Sequence, residues 1–192
     1  HLYGASESSG AHDAGTIFKV TREGTIATLF EFGSLYEEAV GPYSLMQNLD
    51  GNFYGTTAFG GESGQGSVFQ ISPEGSFAEL SSFDSLNIPQ QGIHPFSTLA
   101  LGADGNLYGT TQYGGTGNHG TVFRITSAGA LSTVVEFTGS GATSVGSTPN
   151  GLILGSNGEL YGTTQTGGYG SNNVGTAFRI DPDGTMNTLV DF

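Results

Sequence analysis

The side chains that could do chemistry lie in glycine-rich phrases. His12 is followed by Asp13, and His119 sits in the run GTGNHG, residues 115–120. Two histidines and a carboxylate could hold a metal, but no H-x-x-x-H or comparable ligand spacing supports one. They read as loop residues, and no metal is expected. The run GTGNHG matches G-x-G-x-x-G, which cradles a dinucleotide only where a strand precedes it and a helix follows. Here the strand-like TVFRI follows, so the match is an accident of glycine content. Neither G-x-S-x-G nor G-x-x-x-x-G-K-[ST] occurs. The pairs Asp50-Gly51 and Asp104-Gly105 suggest calcium, yet Ca²⁺ takes roughly six to eight oxygens and turn chemistry alone accounts for these residues. The expectation is therefore no catalytic residue and no cofactor.

A second group of residues suits binding. Phe59 and Tyr113 occupy equivalent places, Tyr169 lies nearby in a later phrase, and Gln112, Gln165, Asn118, Asn172 and Asn173 accompany them. Flat aromatic rings stack on the apolar faces of sugar rings, and amides bond their hydroxyls. Glycans are the ligand class these residues suit. The alternative is that the rings cover neighbouring elements. Lys19, Arg124 and Arg179 recur at one position, with Gln70 in their place once, and are expected to pair with carboxylates such as Glu136 or Asp191.

What positions these residues is a repeat. LYGASESSG, FYGTTAFGG, LYGTTQYGG and LYGTTQTGG begin at residues 2, 53, 107 and 160. Gly4, Gly55, Gly109 and Gly162 recur at steps of 51, 54 and 53; Phe18, Phe69, Phe123 and Phe178 at 51, 54 and 55; and Phe32, Phe83, Phe137 and Phe192 at the same steps. Each full unit reads as four strands. Strand A is LMQNL, LALGA or LILGS; strand B is the phrase above; strand C is GTIFKV, GSVFQI, GTVFRI or GTAFRI; strand D runs into the closing Phe. Asp-Gly or Asn-Gly between A and B predicts a two-residue type I′ turn. Alternation puts Phe123 and Ile125 on one face of strand C, and Leu131, Val135 and Phe137 on one face of strand D. No helical stripe is sustained anywhere.

Tandem four-stranded units of about 53 residues imply an all-β chain of antiparallel blades, a β-propeller or part of one. A lone sheet cannot bury both faces, whereas stacked blades can. The reading is one repeat domain over 1–192, with blades at 1–32, 33–83, 84–137 and 138–192. Blade 1 has no strand A, giving fifteen strands in all, and its edge at Leu2 and Tyr3 is a template for self-association.

The stretch DGNLYGTTQYGGTGNHGTVFRITSAG, residues 104–129, resembles the GloVer tandem repeat of bacterial choice-of-anchor proteins, and more loosely NHL and kelch blades. The resemblance covers essentially the whole chain. It implies a secreted or surface-attached β-propeller and supplies no catalytic residues. Blade 1 departs from it at Ala5-Ser6 and Ser9-Gly10.

Composition narrows the function further. Seventeen acidic residues against four basic ones give a net charge of −13, which repels nucleic acid and anionic membranes. There is no Cys for a disulfide or thiolate site, and no apolar run approaches the ~18 residues of a membrane span. Few lysines and much Gly, Ser, Thr and Asn favour an extracellular or cell-surface location. The expected function is a non-enzymatic scaffold or binding module. The alternatives are a filament subunit polymerising through blade 1, and an NHL-like lyase or lactonase, which would need acids or a metal converging on a central channel.

Overall fold

A computed structural model of the chain describes residues 1–33, 39–84, 91–140, 145–168 and 174–192. The fold is all-β, with no helix among the described residues. It divides into two compact units, His1–Phe83 and Asp84–Phe192. In the first, β1 (Leu2–Ser6), β2 (Thr16–Val20) and β3 (Ile26–Glu31) form a three-stranded antiparallel sheet. Beside it, β4 (Val40–Gln47), β5 (Phe53–Phe59), β6 (Ser67–Ile71) and β7 (Phe77–Ser82) form a four-stranded sheet in that order. In the second unit, β8 (Gly92–Ile93) and β11 (Tyr113–Gly114) pair separately. There, β9 (Ala100–Leu101), β10 (Leu107–Thr111), β12 (Thr121–Ile125) and β13 (Leu131–Glu136) make one sheet. The last sheet is β14 (Ser147–Leu154), β15 (Leu160–Thr166), β16 (Thr176–Ile180) and β17 (Met186–Asp191).

The described residues hold seventeen strands rather than fifteen. The reason is one extra residue. Three positions separate Pro42 from Leu45 and Pro149 from Leu152, but four separate Pro95 from Leu99. The ladder breaks there into β8 and β9. The Ser97 hydroxyl fills the break, accepting from Thr110 N at 2.9 Å and donating to Thr110 O at 3.3 Å.

Each strand B glycine lies opposite a strand C phenylalanine: Gly4↔Phe18, Gly55↔Phe69, Gly109↔Phe123 and Gly162↔Phe178. These glycines serve space rather than φ. A Cβ on Gly4 would stand 2.7 Å from Phe18 Cζ, one on Gly162 2.5 Å from Phe178 Cζ, and one on Gly55 or Gly109 would also strike its ring. The ring lies flat across the strand because nothing rises from the glycine beneath it. From there it meets the phenylalanine that closes the preceding blade. Phe32 meets Phe69 edge-on at 5.7 Å in the first unit, and Phe137 meets Phe178 at 5.2 Å in the second. Ile17, Phe53 and Ile71 complete the first core; Val122, Val135, Leu160 and Ile180 complete the second.

Two local expectations are corrected. The hairpin turns are not type I′. Asn48 N donates to Asn52 O at 2.9 Å and Gly51 N to Asn48 O at 3.0 Å, and of the turn residues only Gly51 has positive φ. That is a three-residue loop, a type I turn ending in one left-handed glycine. The same bond pair recurs at residues 21–25, 72–76, 102–106, 126–130, 155–159 and 181–185. Second, Leu131 and Val135 lie on opposite faces. Phe123 pairs with Thr133 but Val122 with Val135, so Val134 is an extra residue in strand D. The same shift falls between Ile17/Phe18, Val68/Phe69 and Ala177/Phe178. A bulge reverses the alternation downstream, and this one turns the closing Phe toward the next blade.

If Gly109 is the seat of Phe123, Gly109→Ala should cost about 1–3 kcal/mol through overpacking, and Phe123→Ala about 3–5 kcal/mol. The double variant should cost clearly less than the sum, because the ring that the added methyl strikes is gone. Urea denaturation measures all three, and strict additivity would show that the two positions do not depend on each other.

Candidate functional site

In three of the four blades strand B leaves its sheet through a glycine pair held at positive φ: Gly60-Gly61, Gly114-Gly115 and Gly167-Gly168. A third left-handed glycine starts strand C at Gly15, Gly66, Gly120 and Gly175. Its carbonyl accepts the N–H of the closing Phe, as Gly66 O does from Phe83 N at 2.9 Å and Gly120 O from Phe137 N at 3.0 Å. Side chains then lock the loop. The second threonine of the phrase meets the first hydroxyl of strand C, at 2.9 Å for Thr57 and Ser67, 2.9 Å for Thr111 and Thr121, and 3.0 Å for Thr164 and Thr176, all buried. In the first blade Ser9 and Thr16 make the pair instead, at 2.9 Å. The Glu136 carboxylate accepts from Thr116 N at 2.6 Å, capping its loop from strand D.

On this frame stand the expected ligand residues. In the first unit, Phe59 ends β5 opposite Val40 and is 47% exposed. In the second, Tyr113 is 44% exposed although its backbone is pinned against Ile93 in the short β8–β11 pair. Its ring edge meets His94 at 6.0 Å and 87°. Gln112 N donates to His94 O at 3.1 Å. Asn118, at φ 55°, is a loop cap: its Oδ1 accepts Gly114 N at 2.8 Å. Gln165 is exposed and donates to Asn150 Oδ1 at 3.2 Å, while the Asn150 amide donates to Thr163 Oγ1 at 3.0 Å. Tyr169, Asn172 and Asn173 lie outside the described residues. The structure thus joins Tyr113 with Gln112 and His94, and Gln165 with Asn150. His94 and Asn150 were missed by sequence reasoning. Their signal is position, since each lies next to the proline that opens strand A.

His12 and Asp13 are exposed in the first unit. In the second, His119 Nδ1 faces Ser147 Oγ at 3.1 Å, and its carbonyl accepts Thr148 N at 2.9 Å. It therefore staples its loop to β14. Among the described residues no three His, Cys, Asp or Glu side chains converge.

The opposite ends of the blades carry the other polar cluster. Asp50 accepts from Asn52 N at 3.0 Å, Asn52 Nδ2 at 3.1 Å and Tyr54 Oη at 2.7 Å. Asp104 does the same with Asn106 at 3.1 and 2.6 Å and Tyr108 at 3.0 Å. Partial loss of hydration opposes ionisation of both, but the donated hydrogen bonds outweigh it and hold each carboxyl below its ordinary range. Burial, with the nearby carboxylate, raises the Tyr54 and Tyr108 hydroxyls. The strand C cation completes this cluster, which corrects the expected pairing with Glu136 or Asp191. Arg179 pairs with Glu159 at 3.5 Å and Asp181 at 3.1 Å, while Gln70 donates to Tyr54 Oη at 2.8 Å. The aspartates spend their oxygens on turn residues, as turn chemistry requires.

Residues 1–148 match the Gloeobacter/Verrucomicrobia repeat. The chain belongs to that family. No curated protein matches the sequence. Among solved structures, a protein described as a gluconolactonase shares 17% identity at a TM-score of 0.60, over 100% of this chain and 60% of its own. A gluconolactonase from Xanthomonas campestris shares 16% at 0.59, over 94% and 59%. The extracellular domain of a one-component system from B. thetaiotaomicron shares 15% at 0.58, over 95% and 21%. These likenesses show the propeller-type fold of this chain. The chain spans about 60% of the length of the two gluconolactonases.

Because the Asp104 carboxyl is depressed in the folded state, it stabilises the fold above the ordinary Asp range of about 3.9, and that contribution is lost as pH falls through the lowered value. Tyr108→Phe should move the Asp104 titration upward toward the ordinary range and lessen the acid-side loss of stability. Carboxyl NMR titration of both proteins reads this directly, and an unmoved Asp104 would show that the hydroxyl does not hold it.

Proposed function

We propose that this protein is a non-enzymatic binding module of the cell surface or extracellular space, and that the glycine-rich loop end of its blades takes uncharged glycan chains. The observation that carries this is Tyr113: a large ring left 44% exposed while its backbone is fixed by strand pairing and its edge by His94. A ring already held in place loses little entropy when a sugar stacks on it. Gln112 beside it, and the Asn150–Gln165 amide pair in the same unit, supply donors and acceptors for sugar hydroxyls. Phe59 stands at the equivalent place in the first unit. The net charge of −13 favours neutral over anionic glycans. The wealth of Gly, Ser, Thr and Asn and the scarcity of lysine support an extracellular setting.

The fold likeness to gluconolactonases motivates a second reading, hydrolysis of a sugar lactone. Proton release from gluconolactone, followed with and without divalent cations, separates it from the first. Enzyme-dependent release would replace the binding reading with the hydrolytic one.

On an array of neutral oligosaccharides the unaltered protein should retain ligand. Tyr113→Ala and Phe59→Ala should each weaken retention and together abolish it, with an unchanged Tm. No retention of any neutral glycan by the unaltered protein would end the proposal.

A further inference from the structure

The residue just before the strand A proline is left-handed wherever that proline occurs. Its φ is 69° at Gly41, 54° at His94 and 54° at Thr148. Main-chain bonds explain the shape. In the first unit Gly41 N donates to Ala14 O at 2.9 Å. In the second, Thr148 N donates to His119 O, the equivalent carbonyl, at 2.9 Å, and His94 O accepts from Gln112 N at 3.1 Å. These bonds anchor the loop between strands B and C, and no side chain takes part in them. Gly41 shows that a glycine is enough for the fold.

A side chain at this position strains the backbone, because left-handed geometry crowds a Cβ against the following carbonyl. Histidine tolerates it better than most residues, whereas a β-branched threonine there is a true outlier. Elsewhere the chain avoids that strain. Its other left-handed residues with side chains, among the described ones, are Asp13 and Asn118, and Gly64 holds the equivalent place at 70°. Those are residue types that accept the conformation. The side chains of His94 and Thr148 are therefore more than the fold requires, and backbone strain of this kind collects at ligand sites. Both side chains are half-buried at the glycine-rich end of the second unit. The His94 ring stands edge-on to the exposed ring of Tyr113, and Thr148 lies two residues before the exposed Asn150 that bonds Gln165.

We infer, resting on the glycan reading above, that His94 and Thr148 are contact residues for the glycan and that the chain carries their strain to present them. A ring nitrogen and a hydroxyl both suit sugar hydroxyls, which donate and accept. The two residues are equivalent positions of adjacent sheets packed on each other. Packed sheets stand about 10 Å apart, more than one sugar ring spans. The ligand that touches both is an oligosaccharide laid across two blades, with one ring stacked on Tyr113 beside His94 and a later unit bonded at Thr148.

Thermal denaturation and isothermal titration test this. The probes are the neutral tetrasaccharide that the array retains best and the monosaccharide from which it is built. Thr148→Gly relieves the backbone and should raise Tm by about 2–4 °C. His94→Gly should raise it less, because it also removes the edge contact with Tyr113. Each glycine variant should weaken tetrasaccharide binding about two- to tenfold, the worth of one hydrogen bond. Thr148→Ser and His94→Asn, which keep a bonding atom, should retain more of that binding. The unaltered protein should bind the tetrasaccharide more tightly than the monosaccharide. A lower Tm for Thr148→Gly would show that its side chain serves the fold, and would overturn the inference. Unchanged tetrasaccharide binding in both glycine variants, or equal affinity of the unaltered protein for the two probes, would overturn it and leave the glycan reading standing. No binding of any neutral glycan by the unaltered protein ends both.

Discussion

The constraint on which the rest depends is the seating of a phenylalanine ring on a strand B glycine. An antiparallel pair sets directly opposed Cβ atoms only about 5 Å apart, too close for a ring to lie down over a side chain. With glycine opposite, Phe69 and Phe178 fold flat across strand B and meet the closing Phe of the preceding blade in their own unit. The bulge in strand D is the second half of the device. Without the extra residue at Leu29 or Val134, the alternation would send Phe32 or Phe137 to the wrong face. One missing Cβ and one extra residue together convert four-stranded sheets into layers that interlock.

This packing leaves the two ends of each blade with different work. At one end seven short turns close strands A–B and C–D with the same bond pair among the described residues, and Asp50, Asp104 and Glu159 accept the tyrosine hydroxyls of strand B. Those carboxylates tie the turns to strand B. At the other end the glycine pairs permit a wide loop, but buried hydroxyl pairs and a strand D carboxylate keep it rigid. For the proposed glycan binding, an exposed ring on a backbone already fixed by strand pairing would lose little entropy on stacking.

The unusual composition follows from the same architecture. Thirty-four glycines serve two separate needs. Some stand where a Cβ would strike a ring, such as Gly109, and others where φ is positive, such as Gly114 and Gly120. Among the described residues no charged side chain is fully buried, including Lys19, Glu79, Arg124 and Arg179 within the strands, which leaves the layered core to Phe, Ile, Leu and Val.

The sequence by itself determined the blade. The spacing of Gly109, Phe123 and Phe137 and their equivalents announces a four-stranded unit, because each marks a place where local geometry admits almost no other residue. The all-β character, the positive φ of the glycine pairs and the buried rank of Phe69, Phe123 and Phe178 were legible for the same reason. The candidate site was legible in part: Phe59 and Tyr113 stood out as aromatics at equivalent loop positions. What only tertiary structure decided was register and partnership. The strand D bulge moves Leu131 and Val135 to opposite faces, Arg179 turns to Glu159 and Asp181 rather than Asp191, and His94 meets Tyr113 across a pair of two-residue strands. Each of these depends on which atoms of distant segments arrive together. Sequence spacing encodes the period of a strand, but one inserted residue reverses every face after it, and nothing in the residues themselves marks where that insertion falls.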